Sequence, residues 1–207
     1  MAVEAFLPLF PLDLVLLPGE LLPLHIFEPR YRSMISQKHS DGGEFGIVRQ
    51  HAGGIERTGC AATVHSVTER FDDGRFNVLV MGTRRFVARM IDSSEECWQA
   101  VAEFFDDDEP GAASAERERK LIEIAQAVLE AGEDAANEGD ARRHSVFSFR
   151  VAAGLPLGPE TKQALLEARS EIERVDLLIK HLEGVVESRR ESTKRMLAAR
   201  DNGRLRH

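Results

Sequence analysis

The hydrophobic period of this 207-residue chain changes once, and that change limits the folds open to it. Up to about residue 105, apolar residues come in short runs: Phe6–Phe10, Leu21–Phe27, Phe45–Arg49, Ala61–Phe71, Phe76–Met81, Arg85–Ile91 and Trp98–Phe105. Turn-forming clusters separate them, at Pro18-Gly19, Asp41-Gly42-Gly43, Gly53-Gly54 and Asp72-Asp73-Gly74. Seven short runs predict seven strands in a barrel or sandwich rather than a parallel βαβ sheet. Asp73-Gly74 predicts a tight type I′ hairpin turn, in which both central residues need positive φ. One helix is expected inside this half, over Pro29–His39, because a proline in the first turn gives up an N–H that has no intrahelical acceptor.

From Ala112 the period becomes helical. Leu121, Ile124, Ala125 and Val128 share one face, and Phe147, Val151 and Leu155 share another. Gly158-Pro159 opens a short helix carrying Leu165 and Leu166. Ser170 and Glu173 form a capping-box pair ahead of a last helix. Its seam is Ile172, Val175, Ile179, Leu182 and Val186, at spacings of three and four. Between the two halves, Glu103, Asp106, Asp107, Asp108 and Glu109 precede Pro110-Gly111. They lack the spacing of a calcium loop and read as a solvated linker. The expected architecture is therefore α+β, with a β-rich part over 1–108 and a helical part over 109–207.

Charge narrows the classes of partner. The net charge is −8, yet residues 188–207 carry seven Lys/Arg against two acids, a local +5 that leaves −13 on the rest. An acidic body argues against a broad nucleic-acid face, and the basic end reads as a solvated helix terminus beyond the apolar seam. The apolar opening is interrupted by Pro8, Pro11, Pro18 and Pro23 and carries Glu4 and Asp13, so neither a signal peptide nor a membrane span is expected. Two cysteines, Cys60 and Cys97, are too few for a disulfide scaffold and predict a reducing, cytoplasmic setting.

Catalytic patterns are missing from the sequence. With no Gly-Lys dipeptide there is no GxxxxGK[ST] phosphate loop, and GxGxxG, HExxH and GxSxG do not occur. Gly154-Leu-Pro-Leu-Gly158 reads as a helix connection. His51, Cys60 and His65 have no recurring ligand spacing, so no metal and no cofactor is expected. The five lysines, at 38, 120, 162, 180 and 194, fall on predicted helices in solvated surroundings, unsuited to activating a serine. The expectation is a protein that binds rather than catalyses.

The segment from Leu7-Pro-Leu-Phe-Pro-Leu12 through Val15-Leu-Leu-Pro-Gly19 to Leu22-Pro-Leu-His-Ile-Phe-Glu-Pro-Arg-Tyr31 resembles the opening of the N-terminal substrate-binding domain of Lon protease, as found in standalone bacterial LON-domain proteins. Phe45-Gly46-Ile47-Val48, Asp73 to Val78, Gly82-Thr-Arg-Arg-Phe86 and Leu155-Pro-Leu157 extend the resemblance over most of the chain. It implies a PUA-like β pseudobarrel followed by a C-terminal helical bundle. It also implies a recognition role without the ATPase and Ser–Lys protease modules of full-length Lon. The partner it implies is an unfolded or degron-bearing polypeptide, together with a separate protease or chaperone.

The expected binding tip is Phe27, Glu28, Pro29, Arg30 and Tyr31, with the Pro18-Gly19 hairpin beside it. Tyr31 is the only tyrosine and adjoins an arginine, a chemistry suited to a recognition rim. The competing expectation is that Phe27 and Tyr31, one turn apart, pack the helix onto the barrel. Two other functions stay open at this stage: RNA binding, suggested by the PUA likeness and the basic end, and small-molecule catalysis in a barrel cleft.

Overall fold

The computed structural model describes residues 4–94, 96–108, 111–130 and 146–204, with side chains omitted for Glu4, Glu130 and 197–204. Glu109 and Pro110 of the acidic stretch, and the side chains at the end of the basic tail, lie outside the described residues. The elements are β1 (Glu4–Leu12), β2 (Leu21–Ile26), α1 (Pro29–Asp41), β3 (Phe45–His51), β4 (Gly54–Ile55), β5 (Thr58–Arg70), β6 (Phe76–Asp92), β7 (Gln99–Phe104), α2 (Ala115–Glu130), α3 (Phe147–Ala153), α4 (Pro159–Glu167) and α5 (Glu171–Arg204). The mixed α/β architecture, strands first and helices after, follows from the change of period.

Neighbouring strands run β1-β7-β6-β5-β3-β4, mostly antiparallel. β1 divides its length between two partners. Glu4–Pro8 pair antiparallel with β7, and Leu9–Leu12 pair parallel with β3. The path β1-β7-β6-β5-β3 therefore returns to its start. β2 lies off this path and pairs only with β6 among the described residues, Leu21 opposite Met81 and Ile26 opposite Phe76.

Three local expectations are corrected. Phe76–Met81 and Arg85–Ile91 are one 17-residue strand, β6. Gly82 is not a break between them. A Cβ there would sit 2.2 Å from the Leu17 carbonyl oxygen, so the glycine admits a close backbone crossing. The β5–β6 connection has three residues rather than two. Phe71 N–H donates to the Arg75 carbonyl (2.9 Å), Gly74 N–H donates to the Phe71 carbonyl (3.0 Å), and Gly74 takes a φ of 84°. The turn is thus centred on Asp72-Asp73, with the left-handed glycine closing it. Gly53-Gly54, read only as a breaker, leads into the two-residue strand β4 against the end of β3.

The helical half follows the predicted boundaries but not all the predicted faces. Ser170 Oγ accepts the Glu173 N–H at 3.2 Å, half of the capping box, while the Glu173 carboxylate takes the Arg169 N–H (3.0 Å) instead of that of Ser170. Val175, Leu178, Ile179 and Leu182 are buried, but Ile172 is 43% exposed. Likewise α3 buries Ser148, Phe149 and Ala152, with Phe147 and Val151 at the margin.

A buried ionic cluster displaces these apolar residues. Asp107, taken as part of a solvated linker, accepts hydrogen bonds from Arg85 (2.6 Å) and from both terminal nitrogens of Arg174 (2.6 and 2.5 Å). Glu171 accepts from Arg174 (2.9 Å) and from the hydroxyl (2.6 Å) and backbone N–H (2.8 Å) of Ser148. Arg85 also donates to the Leu166 and Ala168 carbonyls at the end of α4. Burial pushes the Asp107 carboxyl up, but its hydrogen bonds to Arg174 and Arg85 outweigh that and hold it below the usual carboxylate range.

A continuous apolar cluster crosses from sheet to helices, including Phe10, Leu16, Ile26, Ile35 and Val78 on one side and Leu121, Phe149, Leu165, Val175 and Leu182 on the other. A smaller cluster of Leu7, Leu9, Val48, Phe86, Ala102 and Phe104 lies apart from it.

Candidate functional site

A cleft of about 270 Å³ opens where the end of β1, the second half of β2 and the first turn of α1 meet. Phe10, Pro11 and Leu12 form one wall; Leu24, His25 and Ile26 form another; Phe27, Glu28, Arg30 and Tyr31 lie at the helix end. Gln50 reaches it from β3.

The local sequence explains the shape. Glu28 is extended (φ −72°, ψ 131°), as expected before a proline, and Pro29 then starts α1. This change of direction sends Phe27 and Tyr31 to different places. Tyr31 is buried and its ring lies 4.2 Å from that of Phe10. Phe27 is 59% exposed, stacked on His25 at 6.1 Å. Tyr31 therefore packs the helix onto the strands, while Phe27 does not share in that packing.

Charge is concentrated at the helix end. The Arg30 guanidinium lies 4.6 Å from the Tyr31 ring centre and 2.8 Å from the Glu28 carboxylate, and it reaches the Glu96 carbonyl at 3.4 Å. Burial pushes the Tyr31 hydroxyl above its ordinary range, with the Arg30 charge acting in the opposite sense. Cys97 Sγ contacts the Arg30 carbonyl (3.5 Å), and burial raises that thiol as well. The groups favour packing and pairing over proton transfer.

On the outer face of β2, His25 Nδ1 lies 2.6 Å from Asn77 Oδ1, and Asn77 donates to Glu69 (2.9 Å). Phe71 meets the His25 ring edge-on at 5.7 Å, and the Arg75 guanidinium lies 5.6 Å from the Phe71 ring centre. The alternation Pro23, His25, Phe27 is a period-2 signal that these residues share a face, and it could have drawn His25 into the site from sequence.

Pro18-Gly19 is not beside this tip. The turn from Leu17 to Glu20, with Gly19 at φ 77°, sits against Gly82, at the opposite end of β2 from Phe27. A strand the length of β2 separates them by roughly 17–20 Å. Glu20 there pairs with Lys162 of α4, a lysine only 17% exposed rather than solvated. Elsewhere, His51 pairs with Glu56 at 3.0 Å, Cys60 is buried, and His65 is an exposed strand residue. No three His, Cys, Asp or Glu among the described residues gather as a metal ion would need, and no described helix is long and apolar enough to cross a membrane.

Comparison with known proteins places this geometry. Residues 6–184 match the family described as the ATP-dependent protease La (LON) substrate-binding domain. No curated protein matches the chain. Among solved structures, a Lon N-terminal domain protein from Xanthomonas campestris has a similar fold, with a TM-score of 0.68 and 22% identity over 85% of this chain and 98% of that one. The N-terminal domain of the Mycobacterium avium complex Lon protease is also similar, with a TM-score of 0.60 and 18% identity over 86% of this chain and 98% of that one.

Proposed function

Because the chain belongs to the LON substrate-binding domain family, we propose that it recognises polypeptide, binding unfolded or degron-bearing segments without itself cleaving them or hydrolysing ATP. A separate protease or chaperone would act on what it holds. The observation that carries this reading is the cleft. Phe10, Leu12 and Leu24 offer apolar contact, an exposed Phe27 stands at the rim, and the ionic groups nearby are already paired. An exposed aromatic beside a cleft is the kind of side chain that carries much of the recognition energy once a partner buries it. The returning path of strand pairing supports a PUA-like pseudobarrel over 1–108, and the four helices described after it support a helical part over 109–207. Pro18 and Gly19 are assigned to holding the β2–β6 crossing, and the site to Phe27, Glu28, Pro29, Arg30 and Tyr31.

Reduced, carboxymethylated α-lactalbumin, which cannot refold, is a suitable probe. Fluorescence titration should show saturable binding, weakened about tenfold by Phe27→Asp. Failure to bind this or other denatured proteins would overturn the proposal. Binding of RNA that weakens steeply with salt would favour the RNA-binding alternative.

A further inference from the structure

β2 is paired on one side only. It meets β6 over Leu21–Ile26, and no other described strand lies against its second edge. β1 has a matching open stretch. Its pairing with β7 stops at Pro8, while Leu9–Leu12 pair with β3 on the other side. Two half-paired segments, Phe10–Leu12 and Leu24–Ile26, line the same cleft.

The register tells which backbone groups are available. Pro23 lies opposite Leu79 in an antiparallel pair. A proline keeps such a place where its nitrogen faces away from the partner strand. Backbone groups alternate along a strand, so the N–H and C=O of His25, two residues on, also face away from β6. Pro23 and His25 are both exposed, whereas Ile26 is buried. The open edge thus presents the Pro23 carbonyl and both backbone groups of His25.

We propose that the cleft takes its polypeptide as an added β-strand, hydrogen-bonded to the His25 edge of β2. The inference rests on the polypeptide-binding reading above and adds how the client is held. Main-chain hydrogen bonds would supply affinity with little dependence on client sequence. Phe10, Leu12 and Leu24 would select an apolar side chain at alternate client residues, because successive side chains of an extended strand face opposite ways. The prolines exclude a second copy of this sheet as the occupant. Pro11 and Pro23 each lack a donor, so the two edges cannot propagate a continuous ladder. A short segment needs only the donors and acceptors around His25.

The test uses the full chain and a labelled eight-residue peptide alternating valine and threonine. Two versions of that peptide are N-methylated at every second amide, in opposite phases. The parent peptide should bind, one phase should weaken binding about tenfold or more, and the other should bind nearly as the parent does. His25→Pro, which removes the edge donor, should weaken binding similarly. If His25→Pro fails to fold, as read by circular dichroism, the methylated peptides decide alone. Equal binding of parent and both methylated phases would overturn strand addition. So would loss of peptide binding with unfolded α-lactalbumin still bound, and in that case polypeptide recognition itself stands. Loss of both ligands would end both readings.

Discussion

Phe27 and Tyr31 stand four positions apart, and the proline between them gives the two rings opposite tasks. Tyr31→Ala removes a buried ring packed at a tilt against Phe10 and should lower stability by about 3 kcal/mol. Phe27→Ala should stay within about 0.5 kcal/mol of the parent in the same urea titration, because that ring is mostly exposed. Client binding should respond in the reverse order. Asp107 shows the opposite kind of concealment, a carboxylate in an acidic run whose side chain is only 17% exposed. Asp107→Asn leaves Arg85 without its carboxylate partner and Arg174 with Glu171 alone, a loss of about 3 kcal/mol. The Asp107 carboxyl is held below its ordinary value, so its contribution is complete above that value and drains away as pH falls through the lower folded one. The parent should therefore lose more stability than Asp107→Asn on acidification below about pH 4. From sequence, the spacing of Phe27 and Tyr31 and the extended residue before Pro29 were visible, but not which of the two rings would meet Phe10. Asp107 was unreadable for a different reason. Its partners lie 22 and 67 residues away, and only the folded chain makes it the neighbour of two guanidinium groups.

At the scale of elements, most boundaries were legible because turn chemistry and capping are local. Pro29 starts α1, Gly158-Pro159 starts α4, and Ser170 caps α5. What was misread depended on contacts between elements. Met81-Gly82-Thr83 resembles a strand break until the Leu17 backbone is laid across it. Gly82→Ala should cost about 2 kcal/mol, measured as a lowered Tm, since the obstructing atom is backbone and cannot swing aside. The α5 seam failed at its first position for a similar reason. Glu171 and Arg174 occupy the interior there, turning Ile172 outward. Leu178→Ala should destabilise by about 3 kcal/mol in urea, while Ile172→Ala should be close to neutral. The cleft was half legible. Its α1 end follows from the Phe27–Tyr31 segment and His25 from its period-2 place beside Phe27, but Phe10 joins it through a pairing that no local pattern announces.

For the whole molecule, the apolar cluster that runs from strands to helices argues against independent melting of the two parts. Helical circular dichroism and the fluorescence of Trp98, which packs beside the sheet's smaller cluster, should give coincident urea transitions. The pairing of the first strand with the last has a consequence for how the chain is made. Phe6 lies opposite Val101, so β1 leaves the ribosome 95 residues before its antiparallel partner exists. At ordinary elongation rates this is a delay of about 5–20 s. During that interval an apolar strand must wait in a crowded solution, where stray pairing is the hazard. Pro8 and Pro11 sit in the waiting segment and deny it a continuous row of donors. Their replacement by threonine should therefore show first in nascent chains, as aggregates formed during translation, before any change in the finished fold is seen.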